Sequence, residues 1–363
     1  MKNKRDIYCE YAFWEAFFEI EEKVCRDRTK RKFWDAFYEF LSNNNLYFNI
    51  PIQNVKDETL GGANLMIIRQ KKGGAGVKFI PKKFPKFENI TDDDDNRLNS
   101  VFLTMLDSSE CEALSERYGV IVLNISMIFS AEHVYIDNRE SLDHANGQNW
   151  NYLFDFKAKC PSISYCNSLV IADRYLLANV SEGVLNANLK PILNAMLPNS
   201  LDNEIIFTIC IIAENFGNSL GSKLNKIENL IKNLRPNLAF KLNIFSSKKL
   251  HDRSILTNNI MLTSGAGFDV IGENEVPLKF TTTSLCFPFL HTNINENNTY
   301  IDWINNVLKV ERGCRSYQQN YWGEEVPRHH LLDYFYEEPV LPRATYSLGS
   351  NFGDLLSQIR ATT

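Results

Sequence analysis

The chain holds six histidines, His133, His144, His251, His291, His329 and His330, and His251 stands in a patterned context. The stretch reads Leu250-His-Asp-Arg-Ser-Ile-Leu-Thr-Asn-Asn-Ile-Met-Leu-Thr-Ser-Gly-Ala-Gly-Phe-Asp269. Arg253 follows the histidine by two positions, Asn258 by seven and Gly265 by fourteen. A neutral imidazole serves as a nucleophile or as a general acid or base. A guanidinium fork suits phosphate, and glycines let backbone amides approach the same anion. These residue types in this order point to chemistry on a phosphorylated ligand.

Other segments carry weaker signals. Gly61-Gly-Ala, Arg69-Gln-Lys-Lys-Gly-Gly-Ala-Gly-Val-Lys78, Lys82-Lys83 and Lys86 mix glycine with cations, but no Walker lysine-serine pair or Gly-x-Gly-x-x-Gly is present, so the segment reads as a solvated loop. Asp92 to Asp95 lack the alternate ligands and distal glutamate of a calcium loop and read as an exposed turn. His329-His330 near Glu324-Glu325 and Asp333 offer metal-type donors, yet adjacent residues on a helix point apart, and the reading is a solvated segment. Tyr317, Tyr321 and Trp322 beside Arg312, Arg315 and Arg328 could stack bases but fit interface packing better. Ser264-Gly-Ala-Gly lacks the order of a nucleophile elbow.

The elements that must position these residues follow from periodicity. Residues 6–43 read as helical. Their aromatic face of Phe13, Trp14, Phe17, Phe18, Phe33, Trp34, Phe37, Tyr38, Phe40 and Leu41 suits a core and is interrupted by a basic interval, Lys23 to Lys32. Leu46–Ile50 suggests a strand ended by Pro51, and Tyr118–Phe129 a buried strand. Residues 138–151 read as a loop between domains. In the second half Ser168–Leu177 is a buried strand ending in Asp173-Arg174-Tyr175, followed by a helix over Leu185–Met196 and a strand over Glu204–Ala213. A helix over Leu220–Leu234 follows, then a strand over Phe240–Phe245, two short strands flanking Thr257-Asn258-Asn259, and a helix from Ile301. The alternation predicts an α/β fold, a mixed sheet flanked by helices, preceded by an N-terminal α/β accessory region. The expected divisions are 1–150 for that region, 160–310 for the sheet carrying His251, and 311–363 for a C-terminal segment, an interface candidate.

Composition bounds the function. Of 363 residues 44% are hydrophobic and 23% charged, which is ordinary globular material. With 39 basic against 44 acidic residues the net charge is −5. That excludes a wholly basic nucleic-acid-coating protein but leaves room for a local basic surface. The N-terminal stretch lacks a secretory pattern, and the longest apolar run, Ile205–Ala213, falls short of the roughly 20 residues a bilayer span needs. Eight scattered cysteines with no Cys-x-x-Cys pair suit a reduced, cytoplasmic protein without a structural zinc.

The His251 stretch resembles the phospholipase D superfamily motif, His-x-Lys-x4-Asp followed by a glycine turn. The Asp173-Arg174-Tyr175 triplet is similar to the Asp-x-Tyr that opens phospholipase-D-like domains of bacterial conflict systems. The likeness covers about residues 165–310. It implies a phosphohistidine at His251, with Arg253 in the lysine's place, Asn258 in the aspartate's, and a phosphate held by Ser264, Gly265, Gly267 and Arg174. It implies no metal and no cofactor. It further implies a phosphodiester ligand in nucleic acid and a setting in bacterial anti-phage defence. Arg253 keeps the cation, whereas Asn258 loses the charge. That loss is similar to divergent branches such as the C-terminal domain of MIT-domain proteins, where the fold serves binding. The alternative is thus a non-catalytic module for phosphate, nucleic acid or a partner protein. None of the other five histidines has a basic residue two places on, so one motif is visible. One-motif members of the superfamily pair two chains, so the resemblance implies a homodimer or a partner protein from the same system.

Overall fold

The computed structural model describes residues 4–24, 27–42, 44–49, 78–81, 86–130, 139–143, 150, 154, 164–178, 181–214, 220–249, 253–272, 282–286, 294–315, 321–322 and 329–335. The fold is α/β, with one parallel sheet and one mixed sheet flanked by helices.

The first sheet has five strands, β1 (Asp6–Cys9), β2 (Asn45–Phe48), β3 (Lys78–Pro81), β4 (Val101–Leu103) and β5 (Ile121–Leu123). They lie in the order β3-β2-β1-β4-β5 and every pairing is parallel. Parallel strands are covered on both faces, which is why β4 and β5 read Val-Phe-Leu and Ile-Val-Leu and are wholly buried. Two helices, α1 (Tyr11–Val24) and α2 (Arg28–Ser42), connect β1 to β2. Their aromatic faces form the core, as their spacing requires: Phe13, Trp14, Phe17, Phe33, Trp34, Phe37 and Phe40 are buried. The Phe17 ring stacks on Trp34 with centroids 3.8 Å apart and 7° between planes, which clamps α1 to α2. Short α3 (Asp95–Leu98) precedes β4, and α4 (Ser108–Tyr118) links β4 to β5. Asp107 and Glu110 form a capping box at the start of α4, and Gly119 ends it at φ +63°. A Cβ on Gly119 would stand 2.5 Å from the Cys166 carbonyl oxygen. α5 (Ile125–Ser130) follows β5.

Three local expectations change. The helix expected over 6–43 is preceded by strand β1, four residues too short for a period to declare itself. The strand expected over Tyr118–Phe129 is a three-residue strand followed by a helix. Asp92 is only partly exposed and is bound on both sides: its Oδ1 accepts from His330 Nε2 (2.8 Å) and from the Ile206 N–H (3.1 Å).

The second sheet has eight strands. These are β6 (Arg139–Asp143), β7 (Ser168–Ala172), β8 (Phe207–Ala213), β9 (Phe240–Ser246), β10 (Ser254–Thr257), β11 (Met261–Ser264), β12 (Thr282–Cys286) and β13 (Tyr321–Trp322). Their order is β13-β9-β8-β7-β10-β11-β12-β6. β7, β8 and β9 run parallel, and the pairings outward from β7 through β10 to β6 are antiparallel. The strands foreseen at 168–172, 207–213 and 240–246 thus form the parallel centre. Strand β6 falls within 138–151, which was expected to be a loop, and pairs with β12, while β13 lies beyond 310 and pairs with β9.

The crossover from β7 to β8 carries α6, which runs Glu182–Val184, a π-turn Leu185–Leu189, then Lys190–Met196. The π-turn has a cause. Buried Asn188 accepts the Ile271 N–H (2.9 Å) and donates to the Ile271 carbonyl (2.6 Å) and the Val184 carbonyl (3.1 Å). α7 (Leu220–Leu234) links β8 to β9 at the boundaries its spacing foretold. α8 (Ile294–Arg315) and α9 (His330–Phe335) complete the described elements. No helix among the described residues is long and apolar enough to cross a membrane. Cys9, Cys111, Cys166, Cys210 and Cys314 are free and buried.

Buried polar side chains tie the two sheets together. Arg5 is 1% exposed, and its Nη1 donates to Asn259 Oδ1 at 2.6 Å. Burial lowers its pKa to about 10. The Asp6 N–H donates to the Tyr334 hydroxyl at 3.0 Å.

Candidate functional site

Register brings distant segments to one rim. β7, β8 and β9 end at Ala172, Ala213 and Ser246, and the next residues are Asp173, Glu214 and Ser247. Antiparallel β10 pairs Ser254 with Ala172, which places Arg253 at that same end. β11 pairs Thr263 with Ser254 and ends at Ser264, so the turn Gly265–Gly267 arrives there too. The carboxyl ends of parallel strands are where open α/β sheets hold ligands.

At this rim Asp173 is fully buried. Its Oδ1 accepts the Tyr175 N–H at 2.9 Å and its Oδ2 the Phe268 N–H at 2.8 Å. Burial raises the carboxyl's pKa, and Asp269 adds to the rise, while the Phe268 and Tyr175 amides and Arg253 pull it back. Gly267 has φ +98°, and a Cβ on it would stand 2.8 Å from Asp173 Oδ2. Glycine is therefore required there for both backbone and space. The Ser264 hydroxyl donates to the Gly267 carbonyl (2.6 Å), and its N–H donates to the Arg253 carbonyl (3.1 Å).

Arg253 Nη1 donates to the Gly265 carbonyl. Its guanidinium carbon lies 5.4 Å from the Tyr175 ring centroid, and that of Arg174 lies 5.5 Å from the same centroid. Arg253 Nε has no hydrogen-bond partner among the described residues. Arg174 Nε donates to Glu214 Oε2 at 2.6 Å, and Lys248 Nζ lies 3.1 Å from Glu214 Oε1. The Arg174 hydrogen bond, with help from Lys248, holds the Glu214 carboxyl below the usual range.

Of the residues that the resemblance singles out, Arg174, Arg253, Ser264, Gly265 and Gly267 thus come together. The surroundings are of mixed charge, because Asp173, Glu214 and Asp269 stand among the cations. Sequence reasoning missed Glu214 and Lys248, and it gave no role to Asp173, Tyr175 or Asp269, although the motifs that it quoted contain them. The first polar residue after each buried strand was the available signal for Glu214. His251 lies outside the described residues, as do His133, His144 and His291.

Asn258 is elsewhere. It follows the far end of β10 and is 1% exposed. Its Oδ1 accepts the Asn167 and Ser168 N–H groups (both 3.0 Å) and the Ser168 hydroxyl (2.9 Å). Its Nδ2 donates to Asn99 Oδ1 (2.6 Å) and Asn167 Oδ1 (3.0 Å). Asn167 Nδ2 continues to the Leu98 carbonyl (2.8 Å), and Asn99 Nδ2 to the His330 carbonyl (2.8 Å). Asn258 is placed as a knot between the sheets, separated from Arg253 by the length of β10.

His329 and His330 are buried, not solvated as their polar neighbourhood suggested. His329 Nε2 donates to the Leu169 carbonyl (3.2 Å), and the His330 N–H donates to Thr208 Oγ1 (3.3 Å). Leu169 and Thr208 open β7 and β8, so both histidines occupy the rim opposite Arg253. Among the described residues no group of three His, Cys, Asp or Glu side chains is arranged to hold a metal. A groove of about 460 Å³ between α6 and α7, lined by Glu182, Asn186, Lys190, Lys226, Asn229 and Asn233, includes none of the rim residues.

No family model and no curated protein matches this chain. Among solved structures it is similar to TrmBL2, an archaeal chromatin protein whose structure is described as showing a novel mode of DNA binding. The identity is 10% over 48% of this chain and 53% of that one, with a TM-score of 0.25. The chain spans about half the length of that neighbour, and a likeness at this score carries no argument about fold or function.

Proposed function

We propose that the rim at the carboxyl ends of β7 and β8 binds a phosphodiester of nucleic acid, as a divergent phospholipase-D-like module in bacterial anti-phage defence. The observation that carries this reading is the seating of Arg253 against the Gly265–Gly267 turn, beside Arg174 over one tyrosine ring. A guanidinium seated against a glycine turn is apt for phosphate oxygens. Binding without cleavage is favoured over hydrolysis on two grounds. Asn258, at the aspartate's place in the motif, spends its amide between the sheets. The two described histidines face the other rim.

A cleavage reading has its own support, since Arg253 stands at the rim and His251 precedes it by two residues. On that reading the His251 imidazole attacks phosphorus, Arg253 holds the non-bridging oxygens, and an acid from a second copy of the chain protonates the leaving oxygen.

The test uses labelled single-stranded DNA and RNA in chelator, with wild type, Arg253→Gln and His251→Ala. The expected result is binding weakened about tenfold or more by Arg253→Gln, the loss of one charge-assisted hydrogen-bonding group, with the oligonucleotides intact. Unchanged binding by Arg253→Gln overturns the proposal. Cleavage abolished by His251→Ala establishes the second reading, and light scattering then tests for the dimer it requires.

A further inference from the structure

We propose that the opening turns of α2 are a docking surface for the phosphate backbone of duplex nucleic acid. Residues 23–32 contain Lys23, Arg26, Arg28, Lys30, Arg31 and Lys32 against the single acid Asp27. That is a net +5 in ten residues. The whole chain is −5, so everything outside this segment sums to −10. An acidic protein with a net +5 in ten residues has a polarised surface there, as it has along Arg69–Lys86, and such a patch steers a polyanion to it.

The cations are available. Lys30, Arg31 and Lys32 are exposed. Arg31 Nε approaches Asp35 at 3.9 Å, with both side chains over 60% exposed, so the pairing is weak. Among the described residues Lys30 and Lys32 have no ion-pair partner. The charges also stand at the wrong end of their helix. They occupy the opening turns of α2, where the backbone dipole is positive and cations are disfavoured. An external row of phosphates relieves both that repulsion and the mutual repulsion of the cations.

The start of α2 is held firmly against α1. Immediately after the cations Phe33, Trp34 and Phe37 enter the core, and Trp34 stacks on Phe17 of α1. The same packing selects the partner. Surface helices bind bilayers by inserting an apolar face, and here that face, Phe33, Trp34, Phe37, Phe40 and Leu41, is buried. Single strands are gripped by stacking on exposed aromatics, and these aromatics are in the core. A duplex backbone asks for positive charge alone.

The opening turns of α2 belong to the first sheet's helices and do not depend on the Arg253 rim. The test is fluorescence anisotropy of the full chain with a labelled DNA duplex over about 50–200 mM salt. Wild type is compared with the triple variant Lys30→Gln, Arg31→Gln, Lys32→Gln, and with Arg253→Gln. Thermal melting checks that the variants fold. Removing three phosphate contacts is expected to flatten the slope of log affinity against log salt by about 2.7, and to cost tenfold or more in affinity at the lowest salt. In Arg253→Gln that three-charge component is expected to persist, so failure at the rim and failure at α2 read differently. An unchanged slope in the triple variant overturns the proposal. So does a wild type that ignores the duplex, or one that binds phosphatidylserine vesicles instead of it. A second pair of substitutions, Lys30→Glu and Arg31→Glu, should deepen the loss if the contact is electrostatic.

Discussion

His329 ties stability to pH. Its Nε2 faces the Leu169 carbonyl, which only accepts, and its Nδ1 faces the Leu332 N–H at 3.4 Å, which only donates. The Leu332 N–H therefore requires an unprotonated Nδ1, and the Leu169 carbonyl fixes the remaining proton on Nε2. Burial is the main cause that lowers its pKa from 6.5 to about 3, the Leu169 carbonyl opposes the fall, and His330 adds to it. In the unfolded chain the imidazole takes up a proton near pH 6.5, while in the folded chain it stays neutral down to about 3. The unfolded state binds more protons across that window, so stability is full above pH 6.5 and declines as pH falls. Across the window each step of one in pH removes about 1.4 kcal/mol, giving about 2 kcal/mol lost by pH 5 and about 4–5 kcal/mol by pH 3. The perturbation is His329→Gln, whose amide keeps a donor for Leu169 and has nothing to titrate. Urea unfolding followed by tryptophan fluorescence is measured from pH 8 to pH 5. Wild type should lead the variant at pH 8, and that lead should shrink by about 2 kcal/mol at pH 5. Groups common to both proteins cancel in the difference. A gap constant to within about 0.5 kcal/mol over this range would refute the burial argument.

Three further outcomes are expected. Asn258→Asp recreates the superfamily's residue, yet it removes two donors and places a charge against the Asn99 and Asn167 side-chain oxygens. It should destabilise by about 3–5 kcal/mol in urea unfolding, and a loss under about 1 kcal/mol would mean the amide network is misassigned. Gly267→Ala forces a side chain onto a left-handed backbone and into the Asp173 carboxylate. A loss of about 2–3 kcal/mol together with weakened oligonucleotide binding is expected, and full binding by a stable variant would contradict the rim's geometry. Arg5→Met leaves Asn259 Oδ1 without its donor and should cost about 1–3 kcal/mol, seen as a lowered midpoint in the same titration.

The parts of the fold legible in the sequence are those whose patterns are long or local. Leu224, Ile227, Leu230, Ile231 and Leu234 mark α7 because one face of a helix repeats every three to four residues. Strands β7 and β8 are legible as unbroken apolar runs, because strands buried on both faces have no solvent side. β1 is hidden because half of its four residues are Asp6 and Tyr8, and the aromatic helix begins two residues after it. The rim is half legible: Arg253 and Gly267 lie fourteen residues apart and meet through one hairpin, whereas Glu214 and Lys248 join them only through sheet order. Asn258 is the sharpest case. Its spacing from His251 fits a catalytic motif, but its partners Asn99 and Asn167 are 159 and 91 residues away, and no local pattern reports them.

The Arg5–Asn259 hydrogen bond has a consequence in time. Its two residues are 254 positions apart, and the Asp6 N–H waits 328 positions for the Tyr334 hydroxyl. At about 5–20 residues per second of synthesis, roughly 10–50 seconds separate the emergence of Arg5 from that of its acceptor. The five strands of the first sheet are all made by Leu123, yet the guanidinium at the start of its central strand must stay in water until the second sheet's central hairpin arrives. The first half therefore leaves the ribosome with one corner open, and α9, the last helix among the described residues, is the one that closes it.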